Sequence, residues 1–144
     1  MIKDSKYIKN KLLKEYPKLQ KENIWLTDPF YLLPELKDLE ISVKKNSVKD
    51  IQYYKNISEC EEFSLFLHAK IKMERVQNVK DIPDHEKYTW AFGEVIGYKY
   101  GLMGKNIHQM NICFTKEGIK IIEPQSNKIE NIDINKFDIF FVKM

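Results

Sequence analysis

Residues 107–123 read IHQMNICFTKEGIKIIE, in which two apolar segments flank the polar loop 115–118. Alternating apolar segments on either side of a short loop that ends in glycine predict a β-hairpin. With a four-residue loop, Phe114 pairs with Ile119, and the pairing continues outward from there. A bulge in the loop would shift this register by one residue and reverse the faces of all side chains.

The predicted register brings a histidine and a carboxylate together. Met110 faces Glu123 and His108 faces Gln125, so all four side chains share one face of the hairpin. His108 and Glu123 are then diagonal neighbours, within reach of an imidazole–carboxylate hydrogen bond. Cys113 alternates to the opposite face, where we expect a core position. The hairpin therefore predicts an oriented His–Glu pair, which is what a catalytic histidine requires.

A helix is predicted upstream of the hairpin, beginning near residue 58. Ser58 followed by Glu61 is a capping-box pattern. An apolar stripe at helical spacing follows it: Cys60, Phe63, Leu67 and Ile71. Cys60 would lie in the first turn, where the helix dipole favours a thiolate. The neighbouring glutamates oppose ionisation of the thiol, so a cationic partner is needed, and the alternative is a small core cysteine.

Composition bounds the class of protein. The chain has 144 residues, a formal net charge of +3 and two cysteines, which suits one domain without a disulfide scaffold. No apolar run is long enough for a membrane span and no signal peptide is evident, so we expect a cytoplasmic protein. The lysine-rich N-terminal region lacks an arginine and aromatic contact set, which argues against nucleic acid as a partner.

The order of predicted elements indicates an α+β fold. Residues 1–57 are expected to be mostly helical or irregular, with a helix over 5–16 that Pro17 ends. Residues 58–144 are expected to hold the helix of Cys60 and an antiparallel sheet. That sheet would include strands at 89–96 and 137–142, a loop at 79–88 and a glycine-punctuated turn at 97–104. We treat 1–144 as a single domain.

Four segments resemble a known family. They are ECEEFSL at 59–65, WAFGEV at 90–95, HQMNI at 108–112 and IIEPQ at 121–125. They are similar to transglutaminase-like cysteine proteinases, and to the protease domain of the Marasmius mushroom agglutinin and its relatives. The resemblance implies a papain-like core in which Cys60, His108 and Glu123 form the triad and Gln125 lines the cleft. It extends to about half of the chain, and the agglutinin's lectin domain has no counterpart.

The resemblance leaves the remaining site residues open. Candidates for the oxyanion hole and substrate contacts are Gln52, Tyr54, Asn56, Trp90 and Gln125. No metal or cofactor is expected from the residues themselves. Calcium dependence is implied by the resemblance alone, and the acidic loop of Asp81, Asp84 and Glu86 offers few ligands for a hard cation. His68 and His85 are expected at the surface.

These observations predict a cysteine peptidase or amidase acting on a peptide or protein substrate. The Cys60 thiolate would attack the carbonyl carbon, His108 would protonate the leaving amine, and Glu123 would orient His108. Three alternatives stay open. The chain could be a papain-like protein without turnover that serves as a binding or interaction module, an acyl transferase of transglutaminase type, or a zinc site built from the same residues. The oligomeric state is not predicted.

Overall fold

The computed structural model describes residues 1–57, 59–102 and 104–144. Within these residues the chain forms three α-helices: α1 (Ser5–Glu15), α2 (Leu36–Lys45) and α3 (Cys60–Gln77). Its β-strands are β1 (Ile2–Asp4), β2 (Ile24–Trp25), β3 (Phe30–Leu32), β4 (Phe92–Gly101), β5 (Gly104–Thr115), β6 (Gly118–Glu123), β7 (Lys128–Asn131) and β8 (Phe137–Lys143). Short 3-10 turns cover 21–23, 79–81 and 84–86. The class is α+β, as predicted.

Strands β2 and β4–β8 form one sheet, in the order β2-β8-β4-β5-β6-β7. The neighbouring strands are antiparallel except β2 and β8, which run parallel. A separate two-stranded sheet joins β1 to β3. The long central hairpin of β4 and β5 is the part of the sheet that α3 packs against.

The two faces of the main sheet carry separate hydrophobic cores, because side chains alternate along each strand. On one face, Met110 and Ile112 of β5 pack with Ile8 and Leu12 of α1; we call this the α1 face. On the other, Cys113 packs in the cluster that contains the apolar stripe of α3; we call this the α3 face. The expected core position of Cys113 is confirmed, since it is fully buried.

Helix α3 follows the predicted stripe. Phe63, Leu67 and Ile71 are buried, whereas Cys60 is only partly buried. The helix begins at Cys60, with Glu59 as its N-cap and a reciprocal capping box between Glu59 and Glu62. The capping box predicted from Ser58 and Glu61 is therefore replaced by one shifted by a residue, and Ser58 itself lies outside the described residues.

Several predicted boundaries are wrong in the sheet. The expected turn over 97–104 is mostly strand, because β4 continues through Gly97 to Gly101. A Cβ atom at Gly97 would lie 2.9 Å from the Phe137 ring, so glycine permits close approach of β8 here instead of marking a turn. The expected loop over 79–88 contains two 3-10 turns, and the short edge strand β7 was not predicted.

The helix expected over 5–16 is confirmed as α1, which ends one residue before Tyr16. Asp4 caps its start by accepting a hydrogen bond from the Tyr7 N–H. None of the helices in the described parts of the chain is long and apolar enough to cross a membrane.

Candidate functional site

The predicted hairpin register is confirmed by the pairing of β5 with β6. Phe114 pairs with Ile119, and the pairing runs in step to Asn111 and Ile122. The predicted diagonal contact is present: His108 Nε2 lies 2.6 Å from Glu123 Oε2. The expected pairing of His108 with Gln125 is absent from the strand ladder, because β6 ends at Glu123.

The Glu123 carboxylate is held by several donors. Its other oxygen accepts from the Gln125 backbone N–H at 3.4 Å, and the Lys99 ammonium lies 3.6 Å from Oε2. Burial acts to raise the pKa of Glu123, but the hydrogen bond and charge of His108, aided by Gln125 and Lys99, outweigh it. The pKa of Glu123 is therefore below its ordinary value, and the carboxylate is ionised near neutral pH.

The Cys60 thiol lies in a different environment. It donates to Glu61 Oε2 at 3.4 Å. Burial raises the pKa of Cys60; a hydrogen bond from the Gln109 backbone N–H acts against this, and Glu61 adds to the rise. The pKa of the Cys60 thiol is therefore above its ordinary value, and the ionised thiol expected from its helical position stays a prediction.

Cys60 approaches β5 at the residue next to His108, since the Gln109 backbone N–H donates to its sulfur. Helix α3 packs on the side that carries Gln109 and Asn111, whose amide groups donate to Ser64 of the helix. Alternation along β5 places the His108 side chain on the same face as Met110. Among the residues that the structure describes, no hydrogen bond or ion pair joins Cys60 to His108. The structure thus joins His108 to Glu123 by a hydrogen bond and places Cys60 beside Gln109, the next residue of β5.

A second His–Glu pair, which sequence reasoning missed, lies between α3 and the sheet. His68 Nδ1 is 2.8 Å from Glu94 Oε1, and both residues are buried. Glu94 Oε2 accepts from Gln109 Nε2 at 3.1 Å, and Gln109 Nε2 also donates to Ser64 Oγ at 3.0 Å. The expectation that His68 is a surface residue is wrong. Its position three residues before the stripe residue Ile71 was the available signal, since that spacing places His68 on the packed side of the helix.

The remaining predicted site residues lie at several places in the fold. Trp90 packs against Arg75, with the guanidinium 5.3 Å from the ring centre. Arg75 is fifteen positions after Cys60 in α3, about 22 Å along the helix axis, so Trp90 is remote from Cys60. Gln52, Tyr54 and Asn56 lie in the exposed segment before α3, and Gln125 is exposed in the turn after β6.

The acidic loop does not form a metal centre in the structure. Asp81, Asp84 and Glu86 fall in the two 3-10 turns and are exposed. In residues 1–57, 59–102 and 104–144, no group of three or more His, Cys, Asp or Glu side chains is arranged to hold a metal ion. The zinc alternative therefore gains no support, and calcium dependence stays a prediction of the resemblance.

Glu123 lines a cleft between β4, β6, β7 and the start of β8. The cleft has a volume of about 360 Å³, within the usual range for small-molecule sites. Its apolar lining consists of Met110, Ile121 and Phe137, which are buried. Its polar and ring-bearing lining consists of Lys99, Tyr100, Glu123, Ser126, Lys128, Glu130, Asn131, Asp133 and Lys136. Carboxylates, ammonium groups and an amide thus converge above an apolar floor.

Comparison with known proteins shows what the fold resembles. No family model matches the sequence, and no curated protein matches it. Two solved structures are similar. One, titled "PSL1a-E64 complex", has a TM-score of 0.77 at 14% identity, over 99% of this chain and 50% of that chain. The other is Polyporus squamosus lectin bound to the epitope Neu5Aca2-6Galb1-4GlcNAc, with a TM-score of 0.73 at 14% identity, over 99% and 49%.

These likenesses show a shared α+β fold, and this chain spans about half the length of the structures it matches. One of these neighbours is titled a lectin. This finding overturns the predicted resemblance to a protease and the predicted cysteine hydrolase. The alternative of amine acyl transfer, which needs the same triad, is corrected for the same reason.

Proposed function

We propose that residues 1–144 act as one binding module without turnover, and that the module binds a saccharide in the cleft beside Glu123. The observation that carries this proposal is the lining of the cleft. Hydroxyl-rich rings need both acceptors and donors around them, and an apolar surface beneath their C–H groups. The cleft offers Glu130 and Glu123 as acceptors, Lys99 as a donor and Met110 as part of the floor.

The charges around the cleft fit a polar ligand of low net charge. Lys128 pairs with Glu130 at 2.8 Å, and Lys99 lies near Glu123. The carboxylates and ammonium groups therefore largely compensate each other. In this proposal Glu123 contacts the ligand and His108 holds its carboxylate in place, so both predicted residues have binding roles and neither has a catalytic one. The lectin title of one structural neighbour supports the ligand class, and no observation favours the expected peptide substrate.

The predicted papain-like arrangement of α3 and the sheet is also part of this proposal. We infer a papain-like arrangement in which α3 lies against an antiparallel sheet and begins with a cysteine, but without the ion pair that turnover requires. What supports it is the position of α3 across β4 and β5 and the register of the β5–β6 hairpin.

The test is binding to a panel of neutral and charged glycans, followed by calorimetry on each glycan that binds. Glu130→Gln and Lys99→Gln each remove one polar group from the cleft, and we expect each to weaken binding by about tenfold. Glu22→Gln and Lys18→Gln are matched controls outside the cleft and should bind as the unchanged protein does. Cys60→Ser should also bind normally.

Two results would contradict the proposal. The first is equal affinity of the cleft variants and their controls for every glycan that binds. The second is cleavage of a peptide or amide by the unchanged protein that Cys60→Ser abolishes, measured by mass spectrometry of the products.

A further inference from the structure

The α3 face of the sheet is only partly covered by its helix. Helix α3 packs on β4 and β5, and the outer strands on the same face carry large apolar side chains. Trp25 of β2 is 58% exposed and Ile107 of β5 is 65% exposed. Between them lie three rings, those of Phe141, Phe140 and Tyr98. We call these five residues the aromatic strip.

The rings of the strip are fixed by one another. Trp25 meets Phe141 edge to face, with centroids 5.5 Å apart, and its indole N–H donates to the Glu22 carbonyl. Tyr98 packs against Phe140 with centroids 5.0 Å apart. Aromatic pairs of this kind are stable without a ligand. A ligand that stacks on them therefore loses little free energy to ordering the site.

A β-bulge produces part of the strip. Ile96 of β4 pairs with Phe141, but the next residue, Gly97, pairs with Ile139, so Phe140 is the extra residue on β8. Two consecutive phenylalanines thereby both contact rings of the strip, which regular alternation would prevent. Bulges that redirect a side chain are frequent beside functional sites.

The charges beside the strip are mostly positive. The Lys105 ammonium lies 3.6 Å from the Tyr98 ring centre, and Lys143 occupies the strand position beside Trp25. The strand position facing Tyr98 holds Asp138, and Glu94 is buried and already bonded to His68 and Gln109. The exposed cations at both ends of the strip thus complement an anionic ligand.

We propose that the aromatic strip is a second saccharide-binding surface, selective for a carboxylate-bearing oligosaccharide. The C–H faces of the sugar rings lie on Trp25 and its neighbours, and the carboxylates meet Lys105 and Lys143. The ligand class rests on the proposed function, whereas the site is separate from the cleft beside Glu123. A peptide strand fits less well, because β8 is already paired on both sides and β2 offers only two residues of edge.

The test uses a hexuronic acid tetrasaccharide and its neutral hexose counterpart, with calorimetry and tryptophan fluorescence as readouts. Trp25→Ala should weaken binding of the acidic tetrasaccharide by about tenfold. Lys105→Gln should weaken binding of the acidic form by about threefold and leave the neutral form unchanged. Phe30→Ala is the matched control, since Phe30 is 49% exposed and lies in the separate two-stranded sheet. Thermal unfolding confirms that each variant is folded.

The cleft variant Glu130→Gln separates this proposal from the preceding one. If it binds the acidic tetrasaccharide normally while Trp25→Ala does not, the strip is supported whether or not the cleft takes a glycan. Equal affinities of Trp25→Ala and Phe30→Ala would overturn the strip, as would equal affinity for the acidic and neutral tetrasaccharides, or a preference for an acidic peptide of similar length over both.

Discussion

The two His–Glu pairs have nearly the same geometry and opposite surroundings. His68 and Glu94 are 2.8 Å apart in the interface between α3 and the sheet, with His68 only 7% exposed. His108 and Glu123 are 2.6 Å apart at the edge of a cleft, where Lys99 also approaches the carboxylate. The first pair is surrounded by protein on every side and the second borders solvent. The difference teaches that a paired histidine alone does not identify a ligand site; access of the carboxylate to a cavity does.

The largest expected effect is at the buried pair. His68→Ala should leave the buried Glu94 side chain without one of the two donors that the described residues provide, and a buried polar group left unsatisfied costs up to about 3 kcal/mol. We expect the free energy of unfolding, measured with urea, to fall by that amount. His108→Ala is the matched control and should cost about 1 kcal/mol. An equal loss of unfolding free energy in the two variants would show that the buried pair and the solvent-bordering pair do not differ in their contribution to stability.

A smaller effect is expected from the pH dependence of the cleft pair. The pKa of Glu123 is lowered in the folded state, so its ionised form stabilises the fold. That contribution is fully present above the ordinary glutamate pKa of about 4.3, and it is lost as the pH falls through the lower folded-state pKa.

The measurement is the free energy of unfolding of the unchanged protein and of Glu123→Gln as a function of pH. We expect a difference of about 1 kcal/mol at pH 7 that closes below about pH 4. Glu22→Gln is the control, and its difference should not change with pH. If the difference in unfolding free energy between the unchanged protein and Glu123→Gln stays the same at acidic pH, Glu123 stabilises the fold by packing rather than by its charge.

The smallest effect is expected at Cys60. Because burial raises the pKa of its thiol, alkylation by iodoacetamide should be slow at pH 6 and should accelerate only above pH 8. His108→Gln should change the rate by less than about twofold, since in the described part of the chain the Cys60 sulfur bonds to Glu61 and to the Gln109 main chain and not to His108. Cys113 is fully buried and should not react in the folded protein. Fast alkylation at pH 6 that His108→Gln removes would restore an ion pair between Cys60 and His108.

The hairpin was the most predictable part of the molecule. Its register follows from a short loop and strict alternation, both of which are local properties of residues 107–123. The contact between His108 and Glu123 followed from that register without further information. The stripe of α3 was predictable for the same reason, because helical periodicity is local.

The relation between Cys60 and His108 depended on which face of the sheet α3 covers, and that is a tertiary property. The signal was present in part. Cys113 was expected in the core and out of phase with His108, and the stripe of α3 needed a core to pack on. Both expectations together place the stripe of α3 on the same face of the sheet as Cys113, where the structure has it.

Other misses came from residues whose environment is set by distant chain segments. Gly97 suggested a turn, but it lies within β4. A glycine is required there because the Phe137 ring of β8 occupies the space that a side chain would fill. His68 is polar and was expected at the surface, yet Glu94, 26 positions away in the sequence, pairs with it in the core. Trp90 was grouped with the site by its sequence motif, whereas its ring packs on Arg75 at the far end of α3.

The parallel pairing of β2 with β8 has a consequence for the order of events during synthesis. Residues 24–25 pair with residues 142–143, and the Met144 main chain bonds Trp25 and Thr27. Contacts of such long sequence separation form late, because a large loop must close before they are gained. Trp25 therefore cannot pair with β8 until residues 142–143 have been synthesised. In a folding experiment its fluorescence should report the last step, after the β4–β5 hairpin has formed.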